Sequence, residues 1–69
     1  MKIYQDKRGW RFSVKTTIGG GLYKGFYLKP GALSWHAVRV LPWHSTKQEA
    51  QDDLDAYAEK HGMKVYEGD

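Results

Sequence analysis

The chain is predicted to fold as an α+β domain: a three-stranded antiparallel sheet over about 9–41 packed on one C-terminal amphipathic helix over about 46–61. Three observations carry that prediction. Apolar and polar residues alternate with a period of two from Trp10 to Lys15, the pattern of a strand with one face buried. From Ala50 to His61 the apolar positions recur at helical spacing instead. Gly19 to Gly21, Pro30-Gly31 and Pro42 break the first two thirds into segments of strand length.

The first strand places Trp10, Phe12 and Val14 on the buried side and Arg11, Ser13 and Lys15 on the other. Thr16 to Gly21 ends it, since three consecutive glycines make a pliant hairpin loop rather than a strand. A second strand follows from Leu22 to Lys29, with Leu22, Phe26 and Leu28 inward; this assignment also places Lys24 inward, near one end. Pro30 and Gly31 suit the central positions of a type II turn. The third strand runs from about Ser34 to Leu41 with Val38 and Val40 inward, and Pro42 stops it because it has no amide hydrogen for a ladder. Trp35, Ala37 and Leu41 form a competing inward set, and a shift of one residue exchanges the two.

For the helix, Ser45 and Thr46 are N-cap residues with Gln48 and Glu49 three positions on, so a capping box is available in either of two registers. Ala50, Leu54, Tyr57, Ala58 and His61 form the apolar stripe, and Gln48, Asp52, Asp55 and Glu59 lie opposite. Gly62 suits the first position past the helix. Met63 to Tyr66 either add a short fourth strand or fold back over the sheet edge. No repeat, low-complexity tract or linker interrupts the chain, so residues 1–69 are read as a single domain.

A chain of 69 residues buries only about 60% of the surface it exposes when unfolded, which leaves one thin core and little room for a catalytic cleft. With no cysteine, neither disulfides nor a thiolate zinc site reinforce it, so stability falls to ten aromatic side chains. The N-terminal residues lack the apolar run of a signal peptide and no stretch reaches the roughly 18 apolar residues of a membrane span, so the expectation is a cytoplasmic protein without a membrane partner. No Ser, Cys or Lys stands in a nucleophile context, and the expectation is a non-enzyme without a cofactor. His36, His44 and His61 come from different elements with no ligand spacing, and a solvated helix face explains Asp52, Asp55 and Glu59 better than a cation site does, so no metal is expected. No helix follows Gly19 to Gly21, which therefore make no phosphate-binding loop.

Charge is divided sharply along the chain. Up to His44 eight basic residues meet one acid, a balance of +7; from Ser45 onward three basic residues meet seven acids, a balance of −4. With the strand faces assigned as above, the outer face of the sheet would hold Arg11, Ser13, Lys15, Tyr23, Gly25, Tyr27, Lys29, Trp35, Ala37 and Arg39, cations and aromatics without an acid, while the acidic helix lies behind. Cations for phosphates, Arg for guanine edges and aromatics for sugars or bases are what a sheet-based nucleic-acid reader needs. Exposed strands also carry Lys and Arg to discourage edge pairing, so the same set has a plain solvated-surface reading.

Three strands followed by a helix, with Gly9-Trp10-Arg11-Phe12 in strand one and Trp43-His44-Ser45-Thr46-Lys47-Gln48-Glu49-Ala50 opening the helix, resemble the arm-type DNA-binding domains at the N-terminus of tyrosine recombinases. The plant ethylene-response-factor domain has the same topology. This resemblance implies that the sheet lies in the major groove of DNA, that Arg11, Lys15 and Arg39 match base- and phosphate-contacting strand positions, and that the protein serves a mobile element or acts as a regulator. Two functions are carried forward. The first is a nucleic-acid-binding module that reads double-stranded DNA with Arg11, Ser13, Lys15, Tyr23, Tyr27, Lys29, Trp35 and Arg39. The second is a protein-interaction or assembly module that uses a strand edge or an aromatic patch around Trp35 and Tyr27.

Overall fold

The computed structural model describes residues 2–66; Met1 and 67–69, which hold two acids of the acidic half, lie outside the described residues. The elements in chain order are β1 (Tyr4–Gln5), β2 (Arg11–Thr16), β3 (Tyr23–Leu28), β4 (His36–Ala37), α1 (Lys47–Lys60) and β5 (Lys64–Val65). All strand pairs are antiparallel, and the sheet runs β4-β3-β2-β1-β5. The α+β class and the C-terminal helix are as expected, but the sheet has five strands rather than three. Of the two alternatives for 63–66 the strand is the one formed: β5 is joined to β1 and extended by the bond from Tyr66 N to Ile3 O. β1 itself was not anticipated, because two residues are too few to show a period.

Asp6 shapes the turn between β1 and β2. Its Oδ1 accepts from the backbone N–H groups of Arg8 and Trp10, at 2.9 and 3.0 Å, and its Oδ2 accepts from the Arg8 guanidinium. Burial by itself would raise the Asp6 pKa; the bonds from Arg8 and Trp10 outweigh it and hold the carboxyl below its ordinary value. At the other end of β3, Pro30 and Gly31 take the central positions of the expected turn, closed by Ala32 N donating to Lys29 O at 3.0 Å.

The helix lies across β2 and β3. On β2 the expected face is buried: Phe12 and Val14 are both 2% exposed, with Trp10 packed beside them. The register of β3 then decides the rest. Phe12 stands opposite Tyr27, Val14 opposite Gly25 and Thr16 opposite Tyr23, and facing residues of a pair share a side. Tyr23, Gly25 and Tyr27 therefore face the helix, while Lys24, Phe26 and Leu28 face away. This reverses the expected inward set of Leu22, Phe26 and Leu28.

The cause is the close approach at Gly25. A Cβ built there would sit 2.6 Å from Leu41 Cδ1 and 3.4 Å from Leu54 Cδ1, so the helix-side layer fits only over a position with no side chain. Leu54, Ala50 and Ala58 supply that layer, at 0–1% exposure; the two alanines let the helix come close.

Where a third strand was expected over 34–41, only His36 and Ala37 pair with β3. Val38 N still donates to Gly25 O, and the chain then turns, with Leu41 N donating to Val38 O, before His44 rejoins the same edge of β3 opposite Tyr23. This excursion draws from both competing inward sets: Val38 and Leu41 are buried, whereas Val40 is 74% exposed. A turn, not a strand, separates them, so a period-two rule does not apply.

The helix boundaries follow their caps. Thr46 takes the N-cap, its Oγ1 accepting from Glu49 N at 3.2 Å, so the Thr46/Glu49 register of the two is used. At the other end Gly62 has φ +68°, its N–H donates to Glu59 O, and Met63 N donates to Ala58 O at 2.9 Å, a Schellman motif.

Candidate nucleic-acid interface

The side of the sheet away from the helix is assembled from alternate residues of five strands. β2 contributes Arg11, Ser13 and Lys15, and β3 contributes Lys24, Phe26 and Leu28. Pairing carries the same side outward to Ala37 on β4, Gln5 on β1 and Lys64 on β5. These strand positions hold four cations and no acid. The helix with Glu49, Asp52, Asp53, Asp55 and Glu59 occupies the opposite side, so the charge split of the sequence becomes a split across the thickness of the molecule.

Three of the four cations rest against aromatic rings that enter from outside the central strands. The Arg11 guanidinium carbon is 4.2 Å from the centre of the Tyr66 ring, Lys15 Nζ is 4.6 Å from that of Trp35, and Lys24 Nζ is 5.2 Å from that of Trp43. Trp43 also meets Phe26 edge-on, with centroids 5.9 Å apart. A cation over a ring gains roughly 0.5–1 kcal/mol at an exposed site, enough to favour one position without neutralising the charge. Lys24 lies beneath this cover and is buried as a whole, at 9% exposure, so it adds positive charge under the face more than a contact on it. Ser13, opposite Phe26, is 3% exposed and forms the floor, with no surface to offer a ligand.

Of the residues expected on this face, Arg11, Lys15 and Trp35 are brought together on it. Tyr23 and Tyr27 are not, since they face the helix. Lys29 lies over Trp10, 5.2 Å from its ring centre, and Arg39 sits in the excursion after β4, lining a cavity with Trp10 and Tyr27. Tyr27 and Trp35 thus lie on opposite sides of the sheet, so no single aromatic patch contains both. Sequence reasoning missed Lys24, Phe26, Trp43, Tyr66 and Lys64. One signal for the first two was available: an inward Lys24 is costly, and glycine in mid-strand marks a close approach. For Tyr66 and Lys64 there was no such signal, because β5 is too short.

The histidines are separately engaged. His44 Nε2 and Asp53 Oδ2 are hydrogen-bond partners, His61 packs on Tyr57 and His36 on Tyr27. Asp55 accepts from Tyr4 Oη at 2.6 Å and from Gln51 at 2.9 Å, and Asp52 accepts from Gln48 at 2.8 Å. Among the described residues no group of three or more His, Asp or Glu side chains is gathered as a metal site, and no helix is long and apolar enough to cross a membrane.

Comparison of the chain with family models, with curated proteins and with solved structures yields no match.

Proposed function

We propose that this protein is a small, non-enzymatic nucleic-acid-binding module that lays the outer face of its sheet against double-stranded DNA. The observation that carries this reading is the company of Arg11, Lys15 and Lys64 on strand positions free of acids, with Lys24 buried beneath them and the carboxylates of the helix on the other side of the domain. Such a surface attracts a polyanion from one direction only. The rings of Trp35, Trp43 and Tyr66 hold three of the cations at the face, and their exposed parts suit contact with sugars.

The test is a titration of labelled protein with a random-sequence duplex, followed by NMR at two salt concentrations. If about four phosphates are neutralised, raising salt from about 50 to about 200 mM weakens binding roughly a hundredfold. Shifts should concentrate at Arg11, Lys15 and Lys64. Binding that ignores salt, or shifts confined to the helix, would refute the reading. The alternative, a protein-interaction module, has less to work with at the sheet edges: β4 and β5 are two residues each, too short to template another strand.

A further inference from the structure

The hairpin that joins β2 to β3 ends in a turn that presents a single side chain. Beyond the last strand pair, Thr16 with Tyr23, the ladder continues by one step: Thr17 N donates to Leu22 O at 3.0 Å and Leu22 N to Thr17 Oγ1 at 3.3 Å. Gly20 N then donates to Thr17 O at 2.8 Å, and Gly19, with φ +98°, takes the third position of a type II turn, where glycine is favoured. Ile18 occupies the second position. It is fully exposed, and Leu22 at the base of the turn is 42% exposed. A lone apolar side chain on a surface needs no explanation by itself. Ile18 differs in being held at the outermost point of the hairpin, on a turn whose backbone these hydrogen bonds fix.

The rest of the tip is bare. Gly19, Gly20 and Gly21 follow Ile18, and a Cβ built at any of them would meet nothing within 4 Å. Gly21 also lacks a positive φ, so neither its backbone nor its packing calls for glycine. What the run of glycines does is narrow the hairpin: between Thr17 and Leu22 the only side chain is that of Ile18. Cations stand on both sides of this tip. Lys15 lies on the outer side of the sheet and Lys47 at the start of the helix, and both line a hollow under the loop with Thr16, Gly20 and Tyr23. No acid lines it. Both lysines are exposed and make no ion pair among the described residues.

We infer that Ile18 is a wedge: with the outer face on duplex DNA, the hairpin tip enters the neighbouring minor groove, and Ile18 inserts between two base pairs and kinks the duplex. This rests on the duplex-binding reading above and adds to it a residue and a deformation. Ile18 stands two residues beyond the last strand pair, a reach of roughly 7 Å, comparable to a minor groove about 7.5 Å deep. That groove is only about 6 Å wide, so a tip with no side chains on its return strand approaches the floor where a substituted one would clash. Phosphates line the groove on both sides, and Lys15 and Lys47 supply a cation for each. An apolar side chain that enters a base step leaves water and unstacks the step, which favours deformable TA and CA steps. A lipid surface would also accept an exposed Ile. Ile18 and Leu22 together, however, are less apolar than the single acyl chain that anchors only marginally to a bilayer, whereas a wedge needs one side chain.

The experiment compares the parent protein with Ile18→Ser on a short duplex, labelled at its ends for fluorescence transfer and carrying 2-aminopurine at one central TA step. Anisotropy reads affinity, transfer reads the bend and 2-aminopurine reads unstacking. The parent should bend the duplex by about 20–90° and brighten the 2-aminopurine. It should also prefer this duplex to one with a central GC step by about tenfold. Ile18 is fully exposed, so Ile18→Ser keeps the fold; it should bind with the salt dependence of the parent, leave the duplex straight and lose the preference. Leu33, also fully exposed but in the loop between β3 and β4, is the control, and Leu33→Ser should bend DNA as the parent does. Salt-dependent binding without a bend, a bend that survives Ile18→Ser, or an equal loss in Leu33→Ser would overturn the wedge and leave the outer face standing. No binding of either duplex would overturn both. Binding to phosphatidylglycerol vesicles that Ile18→Ser abolishes, with DNA straight throughout, would assign the tip to a lipid surface instead.

Discussion

On the helix side of the sheet, Phe12, Val14 and Leu54 are closed off from water, at 2% exposure or less; on the outer side, Trp35, Trp43 and Tyr66 stand beside cations and stay partly exposed. Both sides are rich in aromatics, yet the energetics differ. Full burial of an apolar side chain contributes about 1.5–3 kcal/mol, whereas a cation against a half-exposed ring contributes a fraction of that. The helix side therefore holds the domain together, and the outer side holds charges in place on a surface that remains open. In a 69-residue chain this division has a consequence: stability rests on very few side chains.

The sharpest way to break the comparison is at Leu54. Fully buried between helix and sheet, Leu54→Ala should lose about 3 kcal/mol in urea unfolding, while any protein still folded binds duplex as before. Gly25→Val comes next. Its added side chain runs into Leu41 and Leu54, and the overpacking should cost about 2 kcal/mol by the same measurement; if the variant is as stable as the parent, Gly25 does not face the helix.

Alkaline pH probes the helix side in a different way. Burial, followed by the hydrogen bond to Asp55 and the negative charge of that carboxylate, pushes the Tyr4 phenol up to about 12. Because the folded state favours the neutral phenol, the stability this contributes is complete below pH 10, the ordinary value, and is lost as pH rises through about 12. Tyr4→Phe should flatten that part of the pH–stability curve, and an unchanged curve would show that the phenol is not protected. Arg11→Ala should have the smallest effect on stability, within about 0.5 kcal/mol, while lowering the salt slope of duplex binding by about one phosphate equivalent. A large stability loss with no change in slope would make Arg11 a structural residue and remove the contrast between the faces.

Much of the architecture was legible from local patterns. The buried set on β2, the Pro30-Gly31 turn, a helix cap at Ser45 or Thr46, the Ala50–Leu54–Ala58 stripe and the Gly62 stop each depend on residues within a few positions of one another. The candidate site was legible only in part. Arg11, Lys15 and Trp35 were assigned to the outer face and lie there, because β2 has an unambiguous period and Trp35 meets Lys15. Tyr23 and Tyr27 were assigned outward and face the helix. Tyrosine has an apolar ring and a polar tip, so it serves at the margin of a core as readily as on a surface. Lys29 and Arg39 were also assigned to the outer face and lie off it, since both stand where strands end and alternation no longer applies.

By itself the sequence determined the class, the helix with its Gly62 stop and an N-cap at Ser45 or Thr46, the buried side of β2 and the separation of positive from negative charge, since each is written in the spacing of residues along one segment. Which side of β3 meets the helix was decided by tertiary structure alone. Alternation marks two sides of a strand but does not label them, and when both carry aromatics the choice passes to partners far along the chain. Here Leu41 and Leu54 take the space over Gly25, and Trp43 returns to cover Phe26 and Lys24. The same holds for Lys64 and Tyr66, which join the outer face only because β5 pairs with β1 some sixty residues away in the chain.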